Sequence, residues 1–197
     1  MYPSPTSARM NLAMIVGVDE VGRGCWAGPV CVAAVAMHAS LEGIVDDSKR
    51  LSAAQRQVIA QLVKEATAVG IGWASPQFID QHGLTAALKY AAIRAIIDLG
   101  PPVDEILLDG NSNYIGDKRV RTIIHGDAIE PSIAAASIVA KVARDTYMQV
   151  MGDVQFTGYG FESHVGYGTA VHRAAIAQQG PCALHRMSFA PLKAYVD

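Results

Sequence analysis

Ile15-Val16-Gly17-Val18-Asp19-Glu20-Val21-Gly22-Arg23-Gly24-Cys25-Trp26-Ala27-Gly28-Pro29 decides the fold, because it admits two incompatible continuations. An apolar, β-branched run followed by Gly22-x-Gly24-x-x-Ala27 fits a dinucleotide-binding fingerprint, and Asp46 or Asp47 lies about twenty residues on. That fingerprint requires a helix to open at the glycines, with its N-terminus facing a pyrophosphate. Here Gly28-Pro29 breaks the chain, and Val30 to Met37 is a second apolar run with strand character. The expected unit is therefore a hairpin of strands over 13–20 and 30–37, and a dinucleotide loop is excluded.

The first strand ends in two adjacent carboxylates. Successive strand residues face opposite ways, so Asp19 and Glu20 can serve one site only where the strand ends and the backbone turns. Gly22 and Gly24 supply that turn and let backbone N–H groups approach a phosphate or sugar without a Cβ in the way. Paired carboxylates call for a cation, while the glycines and Arg23 offer a place for an anion. The stretch reads as a metal site beside a nucleotide or nucleic-acid site.

Outward from this unit, Ser52 is a good N-cap for a helix to about Val69, with Val58, Leu62, Ala66 and Val69 repeating at helical spacing. A short strand over 70–75, helices over 77–81 and 85–99, and a buried strand Glu105 to Asp109 follow, the last ending in an acid and Gly110. Another strand over 120–125 leads to Gly126-Asp127. Pro131 then starts a helix to about Met151, with Ile133, Ala136, Ala140 and Ala143 on one stripe and Ser137, Lys141 and Arg144 on its neighbour, where they could line a groove. Asp145 is expected to pair with a basic neighbour on the helix. A last helix is expected over 170–179. The fold class is α/β, a mixed sheet flanked by helices.

At 197 residues and 51% hydrophobic content, the chain is expected to form one domain over 13–197 behind a mobile polar tail at 1–12. Charged residues are 17% and the net charge is −2, which excludes coating of nucleic acid by bulk positive charge; any contact must be local. No run of eighteen apolar residues suggests a membrane span, and the polar start lacks a signal-peptide core. Three cysteines without metal-ligand spacing point to free thiols. A cytoplasmic location is expected.

Acids at three strand ends, Asp19-Glu20, Asp109 and Asp127, can converge from distant positions, and four carboxylates suit two oxygen-seeking cations such as Mg²⁺ or Mn²⁺. Such a pair serves in-line phosphodiester hydrolysis without a nucleophilic side chain. In their order, DEVGRG (19–24), AGPV (27–30), DDSKRLS (46–52), LLDGN (107–111), GD (126–127), AAASIVAKVARD (134–145) and HVGYGT (164–169) closely resemble the ribonuclease HII family.

The resemblance implies a ribonuclease H-like fold with a helical C-terminal region. It implies an endoribonuclease that cuts the RNA strand of RNA/DNA hybrids and nicks 5′ of single ribonucleotides in duplex DNA, leaving a 3′-hydroxyl. By the same resemblance, Asp19, Glu20, Asp109 and Asp127 hold two Mn²⁺ or Mg²⁺ ions. Gly22, Arg23 and Gly24 read the 2′-hydroxyl through their backbone, and Tyr167 stacks on the sugar at the RNA–DNA junction. Ser48 and Lys49 are expected to contact the substrate backbone. The family commonly works as a monomer, and partners in replication or repair are unspecified. Val165 stands where relatives often carry a basic residue, and Cys25-Trp26 where they often carry smaller ones. His164 lies in the last motif and is assigned no catalysis. The competing readings are a hybrid-binding module without turnover and a two-metal nuclease of other specificity.

Overall fold

The hairpin is present, and it forms the middle of the sheet. In this computed structural model, which describes residues 13–45 and 51–196, β1 (Ile15–Val21) runs antiparallel to β2 (Val30–Ala36). β3 (Val69–Ala74) extends the sheet from β2, while β4 (Glu105–Asp109) and β5 (Val120–Ile123) add in parallel beyond β1, giving the order β3-β2-β1-β4-β5. Tail residues 1–12 and residues 46–50, Ser48 and Lys49 included, lie outside the described residues.

Helices cover both faces. On one side α4 (Leu84–Leu99) packs over β2 and β3, preceded by α3 (Pro76–His82). Its approach is close because Gly70 and Gly72 carry no Cβ; one added there would land on the backbone of Ala95 and Ala91. On the other side α5 (Pro131–Thr146) crosses β1 at Gly17, where a Cβ would strike the backbone of Ser132 and Ile133. The small α1 (Leu41–Val45) and α2 (Ala53–Ala66) flank α5. Ser52 caps α2 with a reciprocal Ser52–Gln55 pair, but the inward face is Ala60 and Val63, whereas Val58 and Leu62 are exposed. The expected stripe was rotated because small Ala60 and branched Val63, not the larger residues, fit against α5 and its neighbours.

The helical path of α5 continues through a π-helical segment, Tyr147–Gly152, into α6 (Asp153–Gln155). α7 (Phe161–His164) and α8 (Ala170–Gln179) follow, and a 3₁₀ segment over Ala190–Tyr195 ends the described chain. These elements build a third core around Met148, Phe161, Ile176 and Leu192, set beyond the C-terminal end of β1. All three cysteines are free thiols, and among the described residues no helix is long and apolar enough to cross a membrane.

Candidate active site

Parallel pairing aligns β1 with β4 at Val18 and Leu108, so Asp19 and Asp109 emerge side by side at the C-terminal ends of neighbouring strands. Glu20 behaves differently. Asp19 lies opposite Ala33 and Glu20 opposite Val32; Ala33 belongs to the core beneath α5 and Val32 to the core beneath α4. The adjacent carboxylates thus leave the strand on opposite faces. The backbone turn expected to unite them is absent at that point, because β1 stays paired with β2 as far as Val21 and Cys31. They can meet a common ligand only around the strand tip.

Each acid is held. Ser137 of α5 hydrogen-bonds the Asp19 side chain, and the Glu20 N–H donates to Asp19 Oδ1 at 2.8 Å. Asp109 Oδ1 accepts the Gly126 N–H at 2.7 Å. That bond draws the end of β5 against β4 and brings in Asp127, half-buried in the 3₁₀ turn Gly126–Ala128. His125 makes the turn possible in a left-handed conformation, φ 57°, an uncommon state for a non-glycine residue. Glu20 accepts from Arg23 Nη1 at 2.7 Å through Oε1 and from the Tyr114 hydroxyl at 2.9 Å through Oε2. Tyr114 was not foreseen; it lies five residues beyond Asp109 and carried no motif. With Glu20, Arg23 and Asp109, it lines a cleft of about 170 Å³.

The donor set suits a hard divalent cation. Burial above all, with smaller contributions from the nearby Glu20 and Asp109 carboxylates, pushes the Asp19 carboxyl up to about 7. The carboxylates do not form a closed cage as they stand: among the described residues no three His, Cys, Asp or Glu side chains are gathered tightly enough to hold an ion. Both Glu20 oxygens are engaged by Arg23 and Tyr114.

The turn over 22–24 has an unexpected support. Arg144, predicted to line a groove, is completely buried. Its guanidinium donates to the carbonyls of Pro29 at 2.9 Å, Val165 at 2.9 Å and Ala27 at 3.0 Å. Gly22, Gly28 and Gly166 all have positive φ and lie close around this group, and a Cβ on Gly22 would land on the Arg144 side chain. The absent Cβ at Gly22 therefore makes room for Arg144, not for a ligand. Gly24 faces open space and remains accessible. A second fully buried guanidinium, Arg186, donates to Gly28 O at 2.9 Å and Arg23 O at 3.1 Å; burial pulls it down to about 10, so it stays charged at neutral pH.

Tyr167 stands at the neighbouring edge, 40% exposed, with Lys141 Nζ 5.7 Å from its ring centre. Lys141 also pairs with Asp145 at 2.9 Å, as the helix spacing predicted. The Trp26 ring packs against Gly168, and the Trp26 backbone N–H donates to Gly166 O at 2.9 Å. Val165 is buried in a left-handed conformation, φ 45°, strained for a β-branched residue and secured by Arg144. His164 is structural, accepting from Gly166 N–H at 3.2 Å and donating to Tyr159 O at 2.8 Å.

Comparison with known proteins matches residues 16–192 to the Ribonuclease HII family model. Ribonuclease HII of Streptomyces avermitilis is 45% identical over 191 residues, covering 95% of this chain and 81% of that protein. The Halorhodospira halophila ribonuclease HII is 46% identical over 185 residues, 91% of this chain and 93% of its own. The solved PCNA:RNase HII complex of Archaeoglobus fulgidus matches with TM-score 0.76 and 27% identity over 89% of this chain and 95% of that one. Bst-RNase HIII in complex with Mn²⁺ shares the fold, with TM-score 0.72 at 20% identity over 92% of this chain and 68% of that one.

Proposed function

This chain belongs to the ribonuclease HII family, with its ribonuclease H-like α/β fold, and is a ribonuclease H enzyme acting on RNA/DNA hybrids; from that premise we propose that it also nicks duplex DNA 5′ of a single embedded ribonucleotide, leaving 3′-hydroxyl and 5′-phosphate ends. The observation that carries the proposal is the meeting of Asp19, Asp109 and the Gly126-Asp127 turn at neighbouring strand ends with the turn that leaves β1, where Arg23 and Gly24 are exposed.

Asp19, Glu20, Asp109 and Asp127 would hold Mn²⁺ or Mg²⁺, two ions during catalysis, which when bound supply a hydroxide and neutralise the departing 3′-oxygen. The chain's own groups prepare the site. Gly126 N–H orients Asp109, and the Ser137 hydroxyl orients Asp19. The backbone at Gly22, Arg23 and Gly24 reads the 2′-hydroxyl, the feature that separates RNA from DNA at one nucleotide. Tyr167 stacks its half-exposed ring on the sugar, and Ser48 and Lys49 contact the substrate backbone. The enzyme acts as a monomer in the cytoplasm through one catalytic domain; the PCNA complex of the Archaeoglobus relative supports a place near replicating DNA.

A panel of DNA, RNA, RNA/DNA hybrid and duplex DNA with one ribonucleotide, assayed with Mn²⁺ and with a chelator, tests this. Metal-dependent cleavage of the last two is expected. Binding of the hybrid without turnover, or equal cleavage of plain DNA, would overturn it.

A further inference from the structure

We propose that Tyr114 is a positioning residue for Glu20: its hydroxyl fixes one carboxylate oxygen so that the other is presented to a divalent cation. The proposal rests on the assignment of Glu20 as a metal-binding acid. The two partners of Glu20 are unlike. Arg23 reaches Oε1 with a side chain that is 57% exposed, and an ion pair of that kind holds weakly and exchanges readily. Tyr114 reaches Oε2 from inside the fold, its ring packed against the core beneath α4.

The loop that carries Tyr114 is itself fixed. Asn113 brackets it, accepting from Gly116 N–H at 2.9 Å and donating to Asp117 O at 3.0 Å, and the next residue, Ile115, is buried. Because this loop leaves β4 directly after Asp109, the Tyr114 hydroxyl ties the Glu20 carboxylate to the strand that carries a second acid. A neutral hydroxyl also orients Glu20 without cancelling its charge, as Arg23 does. Carboxylates that ligate metals characteristically have such a partner on the remaining oxygen. Arg23 is then the group an arriving ion replaces, and Tyr114 the group that stays.

Calorimetric titration of Mn²⁺ into the substrate-free protein tests this, alongside cleavage measured as a function of Mn²⁺. Tyr114→Phe should raise both the Mn²⁺ dissociation constant and the half-activating concentration about tenfold. The cleavage rate at saturating Mn²⁺ should fall much less, and the melting temperature should hardly move. Tyr114→Met also lacks the hydroxyl and carries the same expectation, which keeps the test available if the phenylalanine variant does not fold. Unchanged Mn²⁺ affinity in either folded variant overturns the role of Tyr114. Glu20→Gln is the separate control: wild-type Mn²⁺ binding and cleavage there would overturn the metal-ligand assignment beneath it.

Discussion

Nε2 of His172 lies 3.0 Å from Nε2 of His185, and the neighbours on either side determine which ring carries the proton between them. Cys182 N–H donates to His185 Nδ1 at 2.8 Å, so His185 must be protonated on Nε2 and donate to His172. His172 then carries its proton on Nδ1 and gives it to the carbonyl of Tyr167 at 2.9 Å. A chain of neutral imidazoles thus runs from the C-terminal segment to the backbone of Tyr167.

Acid should destabilise the fold through this pair, because folding holds both rings neutral. Burial pushes both rings down to about 4, whereas in the unfolded chain they would take up protons near 6.5. The unfolded state therefore binds more protons between those values, and stability falls as pH drops through 6.5 toward 4. Asp19, raised to about 7, acts in the opposite sense, since without metal the folded state holds its proton first. In chelator, melting temperature should fall with acidification, and Asp19→Asn should steepen the fall. A flat profile in that variant would sink the neutral-histidine assignment.

The two glycines of the turn should respond differently to alanine. At Gly22, with φ 94° and Arg144 pinned by three carbonyls, a Cβ forces a rearrangement, and a loss of roughly 2–4 kcal/mol is expected on thermal unfolding. At Gly24 nothing lies within 4 Å, so stability should change by less than about 0.5 kcal/mol. Cleavage by the stable Gly24→Ala protein should nonetheless fall most on a single embedded ribonucleotide. Equal melting temperatures for the two variants would contradict the packing described.

Asp109→Asn should leave the fold intact, because the amide oxygen can still accept the Gly126 N–H. Cleavage should drop about a thousandfold with loss of the charge. Retained activity in a folded protein would remove Asp109 from the metal site.

Tyr167→Ala removes the exposed ring while the backbone bonds of that residue survive. Loss of one stacking platform is worth about 1–3 kcal/mol, so cleavage at a single ribonucleotide should fall roughly tenfold or more. Long hybrids, gripped at many points, should suffer less. Equal losses on both substrates would count against junction reading.

Much of this was legible in the chain. Gly28-Pro29 between two apolar runs announced the hairpin, and strand β4 and helix α8 have the bounds their patterns predicted. Acids at the tips of strands pointed to the cleft proposed as the site, and β1 and β4 do set Asp19 and Asp109 side by side. Three things were hidden, each fixed by long-range partners. Helical spacing put Arg144 beside Lys141 on a polar stripe, but its acceptors are carbonyls of Ala27, Pro29 and Val165, brought together only by tertiary structure. Glu20 was read with Asp19 because they are adjacent, yet pairing through Val21 sends them to opposite faces. Tyr114 belongs to no motif; only the fold puts its hydroxyl on Glu20.

The burial of Arg144 also bears on how such a protein can change. Gly22 and Gly28 belong to one segment and Gly166 to another, yet all three lie against the Arg144 side chain. A shorter residue at 144 would strand three carbonyls at once, and a side chain at Gly22 would collide with the existing arginine. Drift at one of these positions is therefore constrained by the others. A redesign of substrate preference by loop exchange would have to transplant residues 22–29, position 144 and residues 165–168 as one cassette.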